Sequence, residues 1–108
     1  MILNFEKSDS YTMKRLQYPP ENEILYLKGI VNYTEFHLKN GKKLISSFTL
    51  RRHQEKHTDF LRVSKSHLIN PDGIKKVKTS GTDKTVILKN GDEVKVSRRR
   101  KNVISENL

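Results

Sequence analysis

Apolar residues come in short bursts along this chain. Most bursts alternate with polar residues in the two-residue period of a half-buried strand. Ile24–Ile30 is rich in apolar residues and reads as a strand. Tyr33–Lys39 alternates, with Phe36 and Leu38 on one face. Asn40-Gly41 follows as a hairpin signal, because a two-residue turn of the favoured kind needs positive φ at both positions. Lys42–Ser46 is the returning strand. The same device recurs as Thr85–Lys89, Asn90-Gly91 and Glu93–Val96. Leu38-Lys39-Asn40-Gly41 and Leu88-Lys89-Asn90-Gly91 are one tetrapeptide used twice, too short to mark a repeat protein.

Between the hairpins, Ser47 is placed to cap a short helix over Thr49–His57, whose apolar content is Phe48 and Leu50. Phe60–Val63 and Ser66–Asn70 follow as short extended segments. Pro71-Asp72-Gly73 is a turn. Ile74–Thr79 is another strand, with Ile74 and Val77 inward at a break in strict alternation, and Ser80–Asp83 is a loop. After Val96, Ser97 is placed to cap a final helix with Ile104 and Leu108 on one face. At the other end, Ile2, Leu3 and Phe5 make a short strand, Ser8-Asp9-Ser10 a turn, and Tyr18-Pro19-Pro20-Glu21-Asn22 a linker or kink. Residues 1–21 therefore read as an N-terminal arm, edge strand or linker ahead of a domain over residues 22–108. The elements are mostly β, with two short helices.

Composition narrows this picture. With 108 residues, 33% of them hydrophobic, the chain makes one domain with a thin core of packed sheets. Lys and Arg number 22 against 12 Asp and Glu, a net charge of +10. A small domain this basic meets nucleic acid, an anionic membrane or an acidic protein. The excess is uneven: residues 1–60 carry 10 basic and 7 acidic side chains, residues 61–108 carry 12 and 5. The absence of Cys excludes disulfides and thiolate metal sites. No apolar run approaches a membrane span and the N-terminus lacks the apolar core of a signal peptide, so the expected location is cytoplasmic.

Candidate chemistry lies at two strand ends. Phe60–Val63 runs into Ser64-Lys65-Ser66-His67, and Val94–Val96 into Ser97-Arg98-Arg99-Arg100-Lys101. Alternation points Leu61 and Val63 inward and Arg62 and Ser64 outward, leaving Lys65 and Ser66 free to reach phosphates or base edges. If Ser97 caps a helix, four cations crowd its positive end, an arrangement that makes sense when an anion docks there. The plainer reading of each segment is a solvated polar loop, and it is their pairing that favours a polyanion. His53 and His57 stand four residues apart, but the zinc-protease pattern needs Glu directly after the first His and Glu55 is two positions on. They read as flanking the half-buried face of a weak helix, with no metal. Catalytic constellations are lacking: there is no glycine-rich phosphate loop, no Cys nucleophile, and the carboxylates are scattered.

In order, Ile24-Leu25-Tyr26-Leu27, Asn32-Tyr33-Thr34, Asn40-Gly41-Lys42, a helix near Leu50, Phe60–Asn70, Ile74, Leu88–Gly91 and Val96-Ser97-Arg98-Arg99 resemble the LytTR family. This is the DNA-binding domain of LytR/AlgR-type bacterial response regulators. The most specific segments are Phe60-x-Arg62-Val63-x-Lys65-Ser66 and Val96-Ser97-Arg98-Arg99, and the likeness spans roughly residues 24–106. It implies an elongated antiparallel β-sheet sandwich with one or two short helices. It also implies recognition of double-stranded DNA from loops, in successive major grooves, at direct repeats that place a second copy alongside. Carried onto this chain, the base-contacting positions are Asn32, Lys65 and Arg98. The backbone-contacting positions are Ser64, Ser66, Ser97, Arg99, Arg100 and Lys101. The family's central motif usually reads His-Arg-Ser; Ser64-Lys65-Ser66 here puts a point donor where Arg offers a bidentate fork. Family members usually carry a receiver domain or membrane segment. Residues 1–21 are too short for either, so the chain reads as a stand-alone domain or part of a longer protein.

The expected function is thus a sequence-specific transcriptional regulator that binds double-stranded DNA, is not an enzyme, and needs no cofactor. The alternative is a small basic β module for RNA or a protein partner. An RNA module of this size needs aromatics placed to stack bases. The domain offers Tyr26, Tyr33, Phe36, Phe48 and Phe60, most of them in apolar positions.

Overall fold

The computed structural model describes residues 10–12, 19–100 and 103–104. Within them, alternation builds two sheets. Strands β1 (Ser10–Thr12), β2 (Ile24–Ile30), β3 (Tyr33–Leu38), β4 (Lys43–Ser46), β5 (Leu61–Ser64) and β6 (His67–Ile69) form the first, in the order β1-β4-β3-β2-β6-β5. Strands β7 (Ile74–Ser80), β8 (Asp83–Leu88) and β9 (Glu93–Lys95) form the second. Every pairing is antiparallel except β1 with β4. Helix α1 (Leu50–Lys56) lies across one face of the larger sheet. The molecule measures 41 × 24 × 22 Å, an elongated sandwich.

The modest apolar content is spread over both faces of the six-stranded sheet. On one face Leu25, Tyr26, Leu61, Val63 and Ile69 meet Val86, Leu88, Val94 and Val96 of the second sheet, with Ile104 closing the edge. On the other, Ile24, Leu27, Phe36, Leu38 and Leu68 pack beneath Leu50 and Phe60. A bulge makes this division possible: Ile24 pairs with Leu38 but Tyr26 with His37, so Leu25 is the extra residue. A second bulge accounts for the broken alternation of β7. Ile74 pairs with Leu88 and Lys76 with Ile87, so Ile74 and Val77 both turn toward the core.

Several local expectations need correction. The Asn-Gly hairpins are not two-residue turns with both φ values positive. Only Gly41 (φ 90°) and Gly91 (φ 95°) are left-handed in these loops. The Gly41 N–H bonds the Leu38 carbonyl at 3.0 Å and the Leu38 N–H the Lys42 carbonyl at 2.9 Å. That is a three-residue loop with glycine in the bulge position. The Leu88–Asp92 loop repeats both bonds at 2.9 and 2.8 Å. Asn40 and Asn90 serve as turn acceptors, taking the N–H of Lys42 and Asp92 on their Oδ1, each at 2.9 Å.

Ser80–Asp83 is not an open loop but a tight hairpin in which Ser80 pairs with Asp83 across Gly81-Thr82. Ser10 belongs to β1 and not to a turn, while Ser8, Asp9 and the strand expected near Ile2, Leu3 and Phe5 lie outside the described residues. Ser47 does not cap α1. Thr49 occupies the N-cap without a side-chain bond, and Ser46 Oγ organises the approach, accepting the Phe48 N–H at 3.1 Å.

Buried polar groups pin the edges. Asn70 sends Nδ2 to the Ile24 carbonyl at 2.9 Å and takes the Asp72 N–H on Oδ1 at 3.0 Å. His53 and His57 are buried more deeply than their half-buried expectation. His53 meets Ser46 Oγ through Nε2 at 2.8 Å and stands edge-on to Phe36. His57 bonds Glu21 through Nδ1 at 2.9 Å and stacks on Phe60. The Pro19–Asn22 segment is therefore tied to the domain. Among the described residues no group of three His, Asp or Glu could hold a metal, and no helix is long and apolar enough to cross a membrane.

Candidate nucleic-acid interface

Ser64-Lys65-Ser66-His67 is the hinge of the β5–β6 hairpin, where the register shifts between Arg62 and Ser64. Lys65 stands exposed at its tip. The tip is held from inside by Arg62. Its Nε donates to the Ser64 carbonyl at 2.8 Å, Nη2 to the Lys65 carbonyl at 2.5 Å, and Nη1 to Gln54 Oε1 of α1 at 2.6 Å. Ser64 completes the turn. Its Oγ accepts the Ser66 N–H at 3.2 Å and lies 3.0 Å from His67 Nδ1. Burial, with Lys28 and His37 nearby, pushes the His67 pKa down to about 4, so the ring is neutral near pH 7. The Ser64 hydroxyl thus sits between this neutral ring and the Ser66 N–H it accepts.

Two further tips are tied to this hairpin by backbone bonds. The Gly29 N–H donates to the Ser66 carbonyl at 2.7 Å. This anchors the end of β2, beyond which Val31-Asn32 turns into β3, with Asn32 exposed. The Ser97 N–H donates to the Val63 carbonyl at 2.8 Å, and Arg98–Arg100 follows at once as a 3-10 turn. Three residues per turn fan the three side chains in three directions. Arg98 and Arg99 are exposed and Arg100 is half-buried. Arg100 lies close enough to Arg62 to reinforce burial in lowering the Arg62 pKa.

Of the final helix expected after Ser97, residues 103–104 are α-helical, and Arg98–Arg100 ahead of them is a 3-10 turn. Arg98–Arg100 follows directly on the strand bond at Ser97, whose carbonyl also takes the Arg100 N–H at 3.0 Å. Lys101 and Leu108 lie outside the described residues; Ile104 is buried against the sheets.

The structure thus brings Asn32, Lys65, Ser66, Ser97, Arg98, Arg99 and Arg100 to one end of the larger sheet. The Ser64 hydroxyl is committed to shaping its own turn. Two contributors escaped sequence reading. Arg62 was legible as an outward residue, but the two turn carbonyls it serves were not. Val31 adopts a positive φ of 51° and is 92% exposed; its signal was a β-branched residue in a two-residue gap between strands.

A polar cleft lined by Tyr26, Lys28, His37, His67 and Asp92 runs from the β5–β6 tip toward the two Asn-Gly loops. Tyr26 stacks on His37 with ring centroids 4.2 Å apart and donates its hydroxyl to Asp92 Oδ2 at 2.9 Å. Burial and that acceptor hold the Tyr26 pKa well above the usual phenol range. Burial lowers the His37 pKa, and the bond to Glu35 at 2.7 Å opposes it. Burial works against the Asp92 carboxylate, but hydrogen bonds from Asn90 and Tyr26 outweigh it and hold its pKa low.

A family model described as the LytTr DNA-binding domain matches residues 14–108. Among solved structures, the chain is similar to one described as the LytTr DNA-binding domain of a methyl-accepting/DNA response regulator from Bacillus cereus. The two are 17% identical over 82% of this chain and 84% of that one, with a TM-score of 0.74. No curated protein sequence matches.

Proposed function

This chain belongs to the family of LytTr DNA-binding domains, and from that premise we propose that it is a sequence-specific transcriptional regulator reading major grooves through its loop tips. Asn32, Lys65 and Arg98 supply the base contacts. Ser66, Ser97, Arg99, Arg100 and Lys101 hold phosphates, and Ser64 serves the backbone contact by fixing the Ser66 turn. The sites are direct repeats that seat a second copy beside the first. Residues 1–21 act as an arm whose Ser10–Thr12 segment extends the sheet at its edge.

The observation that carries this reading is the gathering of three exposed polar tips at one end of a rigid sheet. Each sits within a few residues of a backbone bond to its neighbour. Polar side chains held this way can meet base edges without first being ordered, which preserves binding energy for discrimination. The aromatics favour duplex over single-stranded nucleic acid. Tyr26, Phe36 and Phe60 are buried, and the exposed face of Phe48 lies under Arg52, 4.6 Å from its ring centre. A stacking platform for unpaired bases needs open rings.

Selection from a random duplex library tests the proposal. It should recover an enriched motif arranged as a direct repeat, bound more tightly than single-stranded RNA of matched length at fixed salt. Recovery of no enriched motif would refute sequence-specific reading.

A further inference from the structure

Three hairpins in this fold turn on two residues, and in β5–β6 the turn is Lys65-Ser66, next to a register shift and with no positive φ. In β7–β8, Ser80 pairs with Asp83 and the turn is Gly81-Thr82; in β2–β3, Ile30 pairs with Tyr33 and the turn is Val31-Asn32. These two turns, unlike Lys65-Ser66, place a left-handed residue first: φ is 61° at Gly81 and 51° at Val31. Glycine adopts that conformation without strain. A β-branched residue adopts it badly, because its two γ carbons crowd the backbone in this region. Val31 is the sole non-glycine residue with positive φ among those described. Asn, which tolerates the conformation, stands one position later, where it is not needed.

Core packing does not explain the valine. It is 92% exposed, so its isopropyl group stabilises nothing in the free protein. The other large exposed hydrophobic residue among those described, Phe48, belongs to the same end of the sheet. Thr34, two residues past the Val31-Asn32 turn, pairs with Ser46 and donates its hydroxyl to the Phe48 carbonyl at 2.8 Å. Strain retained at an exposed tip is accounted for when the side chain has a partner outside the chain.

We infer that Val31 is a specificity-determining residue that packs its isopropyl group against the 5-methyl of a thymine in the major groove, next to the base contacted by Asn32. The inference rests on the proposed DNA-reading function and deepens it. Thymine is the one base that presents a methyl group in that groove. An apolar contact there complements a tip whose remaining groups are polar, and it discriminates thymine from cytosine without a hydrogen bond.

The test uses the duplex recovered by selection, with each thymine replaced in turn by deoxyuridine. This removes only the methyl group. Wild-type protein should bind one substituted duplex roughly fourfold more weakly, the ratio that burying a single methyl group corresponds to. Val31→Gly and Val31→Asn should bind that duplex and its thymine parent equally, while melting at or above the wild-type temperature because the turn is relieved. Two variants are used because glycine also loosens the turn, whereas asparagine does not. If a preferred duplex is found but every deoxyuridine substitution affects wild type and both variants alike, the Val31 inference fails and the DNA-reading proposal stands. If no preferred duplex is found, both fail.

Discussion

Replacing Arg62 by Met keeps most of the aliphatic volume and deletes the guanidinium that holds the Lys65 tip. Three hydrogen bonds go: to the Ser64 carbonyl, the Lys65 carbonyl and Gln54. Bonds from a charged donor contribute ~1.5–3 kcal/mol when buried, but this side chain is only half-buried and water recovers part of each, so about 2 kcal/mol in total is a reasonable loss. For a domain of this size that lowers the melting temperature by about 8 °C.

Binding should suffer separately. Once the tip is loose, Ser64-Lys65-Ser66 must be ordered on the DNA, at ~1–2 kcal/mol for each residue fixed. Affinity for the preferred duplex should therefore fall at least tenfold, with discrimination lost mainly at the base that the proposed function assigns to Lys65. Because Arg62 faces the protein, the slope of log K against log salt should not change. Arg62→Lys, a point donor without a fork, should fall between the two. Thermal melting, competition against scrambled duplex and a salt titration measure all three quantities. An unchanged melting temperature with a salt slope smaller by about one would show that Arg62 contacts phosphate, and would refute the buttressing argument.

Other outcomes follow from the same geometry. Arg98→Ala should cost ~1–3 kcal/mol of discrimination at one base position, whereas Arg99→Ala should weaken all duplexes alike and reduce the salt slope by about one; a competition assay run at several salt concentrations separates them. Gly73→Ala should destabilise the fold by ~1–3 kcal/mol, since the new Cβ would stand 2.7 Å from Leu25 Cδ1 and 3.1 Å from its carbonyl oxygen; urea unfolding measures this. Burial, with help from His57, lowers the His53 pKa to about 4. The unfolded chain binds that proton below about pH 6.5 and the folded one resists it, so this contribution is complete above 6.5 and fades as pH falls toward 4, by at most about 1.4 kcal/mol per unit. A neutral replacement such as His53→Gln should flatten the stability profile across that window, and an unaltered profile would disprove the assignment.

Strand placement was largely legible because it depends on near-neighbour alternation: Phe36 and Leu38, or Leu61 and Val63, declare their faces within four residues. The break at Ile74 and Val77 was also visible, and the bulge supplies its cause. Turn chemistry was read less well. Asn-Gly announces a hairpin, but the choice between a two-residue turn and a three-residue loop depends on whether Leu38 finds Lys42 across the ladder. The parallel pairing of β1 with β4 and the division into two sheets are long-range choices that short windows do not contain. Around the basic tips, exposure of Lys65 and Arg98 followed from position at strand ends. The bond from Ser97 to Val63 joins residues 34 apart in number, and no local pattern announces it.

That bond has a consequence for how this scaffold can be altered. Val96 donates its N–H to the Lys84 carbonyl in the second sheet at 2.9 Å, and the next residue, Ser97, donates to Val63 in the first at 2.8 Å. Two consecutive peptides thus act as a fixed gauge between the sheets, setting how far the Arg98 turn stands from the Lys65 tip. Letters and spacing are encoded in different places. Exchanging Lys65, Arg98 or Asn32, to which the proposed function assigns the base contacts, would change a letter while the gauge holds. On the same proposed reading, repacking Val63, Val94 or Val96 would shift the gauge, and so the helical phase at which the letters are met, without altering any of them.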